Sequence, residues 1–496
     1  MSKQLMYLKH RFTFWERQGV AGHEGLEPSI LKPGFVHEND LKNFQEFGHI
    51  YGYYEFFRRG LVINDPDVIR DVFVRHFDVF RDNREMYFGE DSINLNLFNL
   101  KGDDRWKRIR SVCSPAFTSS KMKAMMPYIE IIGDEFVHSL GHLFDETQTN
   151  GSIELDVKRV LSAFLTDAIN SFAFSIKTNA LKDPNQPIVE FGRKVFAVES
   201  KFSLILSVML PNVAKLLRVQ PFPTDAINYF KELTHKLVKE RVEENLTESK
   251  KRKDFLQIMI DANRESDDAL VTDDIKEIFE SHDIPEPKPT AGQTLSTIEM
   301  TAQCILFFVA GFDTTTSALA HTLHYLSKHP DIQRKLYDEV ESVADFSADT
   351  LATLPYLNAV IHESLRLAPP VLRVERVAKH DITLNNILVP AGTICTVTPY
   401  TLHRDSRWWS DPHTFNPDRF VDSPLPHPYA LLPFGGGPRM CLGMRFALIE
   451  MRLCLTKLVQ NFRFKTSASD PHLEYYMGNA FFSPKEVVLG LEKRDK

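Results

Sequence analysis

Apolar residues recur at three- and four-residue spacing through much of the chain, which is the period of a helix with one buried face. The pattern is clearest in residues 121–146 and 156–176, and it predicts mainly helix from residue 103 to about residue 283. Short alternating segments bounded by turn residues appear only in residues 28–75 and 378–402, where they predict strands. In the second of these, Asn385-Asn386 predicts a hairpin turn. The pattern therefore predicts an α+β fold that is mainly α with a small β portion.

The strongest single helix signal begins after residue 295. Ser296 and Glu299 have the spacing of a capping box, and helical periodicity then continues to Lys328, where Pro330 stops it. A helix of roughly thirty residues is about 48 Å long, which is enough to cross a whole domain. We expect Gly311 to interrupt it near its middle.

Three further segments complete the carboxyl-terminal half. Residues 355–367 predict a helix that ends at a Pro-Pro pair, and a last helix follows Cys441 and continues to about Phe462. Residues 281–293 hold three prolines within five positions, which indicates a linker or surface loop.

Two apolar runs were tested as membrane segments. Leu204–Leu210 and Ile305–Phe312 are too short to span a bilayer, so both predict buried helix, although the first could dip into a membrane surface. Charged residues interrupt every apolar stretch of the first twenty residues, so residues 1–27 show neither a signal peptide nor a clear anchor. We expect residues 28–496 to form a single domain.

Composition narrows the class of protein. With 496 residues, 43% apolar and 25% charged, the chain has the balance of a soluble globular protein. A net charge of −7 gives no bulk basic footprint for nucleic acid. Five widely spaced cysteines indicate a reducing compartment. The 37 phenylalanines suit either a large dry core or a large apolar ligand.

The segment before the last helix carries candidate chemistry. Three glycines at 435–437 suit a sharp turn or close approach to a flat ligand, and Cys441 follows at a helix amino terminus. The helix dipole and nearby Arg439 predict a lowered pKa for the Cys441 thiol. Such a thiolate could be a nucleophile, a redox thiol or a metal ligand, but no motif supplies a histidine base and no second cysteine is close.

The residues of this loop match a known pattern. Phe434, Gly437, Arg439, Cys441 and Gly443 fit FxxGxRxCxG, and the chain here resembles the haem-thiolate monooxygenases, the cytochromes P-450. The carboxyl half is most similar to the animal microsomal branch that oxidises drugs and steroids. The resemblance implies the cytochrome P-450 fold, with its long central helix over haem b, and Cys441 as axial ligand of the iron.

A second motif resembles the family's ion-paired triad. Glu363 and Arg366 form ExxR on one helix face, a pair that alone is unspecific, and LAPP and then Arg419 follow in the family's order. The resemblance implies that Glu363, Arg366 and Arg419 are buried together and structural around the haem.

The central helix carries a third motif. Ala310-Gly-Phe-Asp313-Thr314-Thr matches (A/G)Gx(D/E)T(T/S), which implies that Thr314 and Asp313 are catalytic and deliver protons during dioxygen activation. The alternative is ordinary: Thr314 bonded back to a helix carbonyl and Asp313 solvated or ion-paired.

The resemblance also implies contacts to cofactor and substrate. The cofactor-binding set is Phe434, Arg439, Gly443, Trp106, Arg110, Arg376 and Arg84, of which Trp106 and Arg110 match WxxxR. The apolar substrate pocket is expected to contain Phe307, Phe308, Ala310, Val371, Leu372 and Phe481, followed by Phe482, although only one of Phe307 and Phe308 is expected to face it.

The implied activity is insertion of one oxygen atom from O2 into a small lipophilic substrate such as a xenobiotic, steroid or fatty acid. Electrons would come from NADPH through a flavoprotein reductase, with cytochrome b5 as a further candidate partner. The chain itself shows no GxGxxG dinucleotide motif after a strand. The implied location is the cytoplasmic face of the endoplasmic reticulum membrane. Two rivals remain: a haem-thiolate isomerase or dehydratase, and an idle haem-binding protein.

Overall fold

A computed structural model describes residues 12–23, 35–55, 57–148, 151–195, 201–244, 254–262, 294–421, 424–467, 472–475 and 481–494. The predicted linker at 281–293 lies outside this range. The helices are α1 (Val36–Phe47), α2 (Pro66–Arg70), α3 (Asp91–Asn94), α4 (Asp104–Cys113), α5 (Ser119–Thr147), α6 (Val157–Phe174), α7 (Pro187–Lys194), α8 (Lys201–Met209), α9 (Pro211–Leu216), α10 (Thr224–Glu244), α11 (Phe255–Ala262), α12 (Thr297–Lys328), α13 (Pro330–Val340), α14 (Ala348–Ala352), α15 (Pro355–Leu367), α16 (Pro399–Leu402) and α17 (Met444–Asn461).

The strands form three small sheets at the edges of the helical body. They are β1 (Ile50–Glu55), β2 (Arg58–Ile63), β3 (Ile153–Asp156), β4 (Val374–Val377), β5 (Ile382–Leu384), β6 (Ile387–Val389), β7 (Ile394–Val397), β8 (Phe462–Thr466) and β9 (Val488–Lys493). The sheet orders are β1-β2-β7-β4, β3-β9-β8 and β5-β6. Asn385 and Asn386 have positive φ in the tight turn between β5 and β6, as the sequence predicted. The α+β prediction is confirmed.

The central helix α12 begins at the predicted capping box. The Ser296 hydroxyl accepts from the Glu299 amide at 3.2 Å, and the Glu299 carboxylate accepts from the Ser296 amide at 2.9 Å. The predicted interruption at Gly311 is wrong, because α12 is continuous from Thr297 to Lys328. A Cβ at Gly311 would lie 3.2 Å from Ile169 Cδ1, so this glycine lets α6 pack closely against α12.

Among the residues that the structure describes, α12 is the one helix that is long and apolar enough to cross a membrane. Its most apolar stretch has a mean hydropathy of 1.3. Of the residues in that stretch, 61% are buried inside the fold. Its buried residues belong to the main core cluster together with residues of α5, α6, α15 and α17. This position as the core helix of the domain accounts for its apolar character.

Candidate active site

The cysteine loop is a turn held by backbone geometry. Gly435 and Gly437 have φ of 73° and 71°, a region that side chains with a Cβ rarely adopt. A Cβ at Gly437 would lie 2.2 Å from the carbonyl oxygen of Phe73, so the loop packs there backbone against backbone. The Cys441 amide donates to the Phe434 carbonyl at 2.9 Å and closes the loop.

The Cys441 thiol differs from the sequence expectation in one respect. The residue is exposed, but the protein packed around its sulfur desolvates the thiol, and this desolvation raises the pKa of Cys441 above its usual value. The Gly443 amide, which donates to Cys441, and the charge of Arg110 act in the opposite direction and are weaker. The predicted lowering of this pKa is therefore wrong, because α17 begins only at Met444 and desolvation dominates.

The guanidinium of Arg439 holds three backbone segments together, since it donates to the carbonyls of Arg81, Leu97 and Leu100 at 2.8 to 3.1 Å. It also lies 4.3 Å from the ring centre of Trp106, which places Trp106 under the guanidinium as a platform.

Arg439, Arg376 and Arg110 form a cluster of like charges. Burial, the charge of Arg376 and that of Arg110 lower the pKa of Arg439 to about 9, and burial lowers the pKa of Arg376 to about 10. Arg110 donates to the Met440 carbonyl at 3.1 Å, and Arg376 donates to Asn83 Oδ1 at 2.7 Å. Such a cluster beside a thiol is electrostatically suited to an anionic ligand.

Arg84 is separate from this cluster. Its guanidinium lies 2.6 Å from a Glu55 carboxylate oxygen and 3.5 Å from Glu375. Burial alone would lower the pKa of Arg84, but the charges of Glu375 and Glu55 raise it. Because two carboxylates already neutralise Arg84, the structure speaks against the cofactor contact predicted for it.

The predicted triad is assembled, with Glu363 and Arg366 fully buried and Arg419 partly exposed. Arg366 contacts both Glu363 oxygens, at 2.7 and 2.8 Å, and Arg419 Nε lies 3.1 Å from Glu363 Oε1. Arg366 also donates to three carbonyls of the irregular segment, those of residues 403, 412 and 414. The triad thus ties α15 to the segment that leads towards the cysteine loop.

Sequence reasoning missed a second tie between these elements. His403 is fully buried, with Nδ1 3.1 Å from the Arg366 carbonyl and Nε2 2.8 Å from the Leu432 amide. Burial, with the charge of Arg366 in addition, lowers the pKa of His403 to about 3, so the ring is neutral. The neutral tautomer that donates from Nδ1 and accepts at Nε2 satisfies both contacts.

Thr314 and Asp313 are partly accessible in the middle of α12, close to exposed Ala310. The Thr314 hydroxyl donates to the Ala310 carbonyl at 2.6 Å. Asp313 Oδ1 accepts from the Ser483 hydroxyl at 3.1 Å and lies 3.6 Å from Lys158 Nζ. The back-bonded threonine and the ion-paired aspartate of the alternative interpretation are thus both observed.

Lys158 and Ser483 were not predicted. Lys158 Nζ donates to the Ser483 hydroxyl at 2.8 Å and to the Pro484 carbonyl at 2.5 Å, and Ser317 donates to Ser483 at 2.9 Å. The turn of residues 481–484 therefore contains Ser483, which contacts Asp313 directly, and it also contacts Lys158, the other partner of Asp313.

Comparisons with known proteins agree with this geometry. The family model described as Cytochrome P450 matches residues 28–489. The chain belongs to the cytochrome P450 family. It is 37% identical over 437 residues to mouse (Mus musculus) Cytochrome P450 3A11, covering 86% of this chain and 81% of that protein. It is 35% identical over 470 residues to human (Homo sapiens) Cytochrome P450 3A7, covering 92% and 87%. This cytochrome P450 is a haem-thiolate monooxygenase, and its cofactor is haem.

The residues present fit haem. Cys441 is exposed and offers a sulfur that accepts from the Gly443 amide, as a thiolate ligand requires. The two propionates of haem are anions, and their negative charge would offset the repulsion among Arg110, Arg376 and Arg439. Trp106 would support this cluster through the contact of its ring with the Arg439 guanidinium.

The predicted pocket residues divide into two groups. Phe481 is 48% exposed, and its backbone is bridged to that of half-buried Val371, so these two join Ala310 as accessible apolar positions. Leu372 instead packs with Val36, Ala368 and Phe482 in a separate buried cluster.

The two phenylalanines of the central helix that were predicted to be pocket candidates, Phe307 and Phe308, also have packed surroundings. Phe308 is 1% exposed and lies 5.0 Å, between ring centres, from Phe230. Phe307 lies 4.4 Å from Phe255 and 5.1 Å from Phe117. This packing speaks against pocket roles for Phe308 and Leu372, and it gives Phe307 aromatic core contacts.

Proposed function

We propose that this cytochrome P450 inserts an oxygen atom from O2 into a small lipophilic substrate, with electrons from NADPH through a flavoprotein reductase. The observation that carries the proposal is the acid–alcohol pair of Asp313 and Thr314 beside the accessible apolar positions Ala310, Val371 and Phe481. A haem-thiolate isomerase needs no external electrons or proton delivery, so it would have no use for this pair.

Each part of the site has a task in this proposal. Ala310, Val371 and Phe481 bind apolar surface of the substrate and exclude water from it. Cys441 would ligate the iron, and Arg110, Arg376 and Arg439 would hold the propionates. Haem, when bound, supplies the oxidising chemistry. Asp313 passes protons inwards from the side of Lys158, and Thr314 turns its hydroxyl from the Ala310 carbonyl towards dioxygen.

The test of function is product formation with purified reductase. With NADPH, O2 and a panel of lipophilic compounds, we expect compounds that shift the haem spin state to be oxygenated. Conversion of an organic peroxide without reductase or NADPH, and no oxygenation with them, would favour the isomerase. NADPH consumption without any oxygenated product across the panel would favour the idle haem protein.

Removing the Thr314 hydroxyl should uncouple electron use from oxygenation. In Thr314→Val we expect the yield of product per NADPH to fall by about 10²-fold, the lower end of proton-transfer contributions, while peroxide release rises. Asp313→Asn should act in the same direction. Product and hydrogen peroxide measured in the same reaction give this ratio.

Thr316→Val is the matched control for this experiment. Thr316 lies on the same helix and bonds back to the Phe312 carbonyl at 2.7 Å, but it is buried in the core. Its removal should leave the ratio of product to peroxide near that of the parent. Equal coupling in Thr314→Val and the parent would contradict the proposed role of the hydroxyl.

The electron donor is proposed to dock on basic residues around α4 and the start of α5. In the structure Arg105 and Arg108 both contact Glu299, Lys107 lies 3.3 Å from Asp104, and Lys123 lies 2.9 Å from Asp349. These pairs reduce the positive field of this surface. Docking of a reductase or cytochrome b5 there should therefore depend only weakly on added salt, because little excess charge remains.

We also propose contact with the endoplasmic reticulum membrane through α8 and α9. Leu216 and Leu217 are 81% and 63% exposed, Phe202, Leu210 and Val213 are exposed nearby, and Lys215 and Arg218 flank them. Helix α8 contains most of the apolar run Leu204–Leu210, whose sequence suits either a buried helix or a membrane surface. Apolar side chains flanked by cations suit an anionic lipid surface.

Replacing both leucines with serine should weaken this contact. In Leu216→Ser/Leu217→Ser we expect severalfold less co-sedimentation with vesicles of phosphatidylcholine and phosphatidylserine. Ile131→Ser is the control, because Ile131 is 52% exposed on α5, away from this patch. Unchanged co-sedimentation of the double variant would refute the proposed contact.

A further inference from the structure

Two histidines on α5 face each other outside the haem site. His138 and His142 are one helical turn apart, and both side chains are exposed. Their Nε2 atoms lie 3.1 Å apart, with ring centres 4.5 Å apart and ring planes at 86°. Exposed side chains on a helix are free to point away from each other, so this convergence of two nitrogen atoms calls for a reason.

The separation of these atoms is that of two ligands of one metal ion. Imidazole nitrogen binds zinc at about 2.0–2.1 Å, so two nitrogens 3.1 Å apart subtend about 98° at a shared ion. That angle lies between the right angle of octahedral or square-planar geometry and the wider angle of a tetrahedron. A small divalent ion can therefore reach both nitrogens once the two rings turn their Nε2 lone pairs from each other towards the ion.

Without metal, the same distance is a hydrogen bond in which one Nε2–H donates to the other Nε2. Binding an ion requires a lone pair on both Nε2 atoms. The donating ring therefore moves its proton to Nδ1, which faces solvent, and no net proton is released if both rings are neutral. The exchange replaces one solvent-exposed hydrogen bond by two metal–nitrogen bonds.

Acidic side chains lie on the same face of α5 as the pair, and Glu146 adds negative charge there. Asp134 and Glu146 continue the same stripe one turn before His138 and one turn after His142, and both are exposed. Asp134 is paired with Lys457 at 2.5 Å. Among the residues that the structure describes, no group of three ligating side chains is in place, so water would complete the coordination. An open, water-completed site on imidazole suits Cu²⁺, Ni²⁺ or Zn²⁺.

We propose that His138 and His142 form a surface site for a divalent transition-metal ion. The ion would bridge two turns of α5. The same helix is tied to α17 by the ion pair of Asp134 with Lys457, and to β9 by that of Asp145 with Lys493. The site lies on residues that the oxygenation proposal does not use, so either can hold without the other.

The test is a titration of the haem-loaded full chain, stripped of adventitious metal by a chelator that is then removed. Calorimetry with NiCl2 should show one equivalent bound by the parent. His138→Gln and His142→Gln should each weaken that binding by about tenfold or more, because one of two protein ligands is lost. NiCl2 should also raise the thermal unfolding temperature of the parent and of neither variant.

His235→Gln is the matched control, since His235 is an exposed histidine on helix α10. It should bind NiCl2 like the parent, and all variants should keep the haem absorption spectrum of the parent. The proposal is overturned if both His138→Gln and His142→Gln titrate like the parent. It is equally overturned if His235→Gln loses as much affinity as they do.

Discussion

Replacing Cys441 with alanine is expected to remove the thiolate signature of this cytochrome P450 and its oxygenase activity. Reduced parent protein with carbon monoxide should show a strongly red-shifted Soret band, and Cys441→Ala should not. Activity should fall by more than roughly 100-fold, because even the partners of a metal ligand cost about 10–100-fold when removed. The absorption spectrum and the rate of product formation measure the two effects.

The other cysteines provide matched controls. Cys113, Cys304, Cys395 and Cys454 are buried, and burial raises the pKa of each thiol, for Cys304 and Cys395 to about 12. Cys395→Ala should therefore keep the red-shifted band with at most a modest loss of stability. Survival of the band in Cys441→Ala, or its loss only in Cys395→Ala, would sink the assignment of the axial ligand.

The second large effect is expected at the triad. Arg366→Met should lower the free energy of unfolding by about 3–5 kcal/mol, because it leaves the buried Glu363 carboxylate with only Arg419 as charged partner. It also removes the donor of three carbonyls between residues 403 and 414, so the cysteine loop should lose its alignment. Urea unfolding and haem content of the purified protein measure stability and loop order.

The control for this variant is an exposed ion pair of the same kind. Arg334 lies 3.9 Å from Asp338 on the surface of α13, and Arg334→Met should change stability by less than about 1 kcal/mol. Haem content should stay at the parent level in that variant. Comparable losses in Arg334→Met and Arg366→Met would mean that the buried triad has no special structural role.

Local signals predicted much of this molecule. The capping box placed the start of α12, and the Asn385-Asn386 turn placed a hairpin, because both depend on backbone groups within a few residues. The pairing of Glu363 with Arg366 follows from three-residue spacing on a helix. The resemblance supplied Arg419, which no local rule would connect to them.

The failures have a common physical origin. Phe308 and Leu372 are apolar whether they line a pocket or fill the core, so only packing distinguishes the two. Arg84 is balanced by Glu55 and Glu375, which are distant in sequence. The pKa of Cys441 depends on desolvation by the whole fold. Lys158 reaches Asp313 across 155 positions of the chain, and no periodicity signals such a contact.

The short turn of residues 481–484 has a consequence for engineering. Its first residue is the exposed Phe481, and its third, Ser483, is hydrogen-bonded to Asp313. The Phe482 amide also donates to the Pro370 carbonyl at 2.9 Å, next to Val371. A change of side chain at position 481 that admits a new compound therefore also shifts the Ser483 hydroxyl, which orients Asp313. Substrate selectivity and the efficiency of oxygenation are thus coupled in this protein. Libraries that vary Phe481 should be sorted on peroxide release as well as on product.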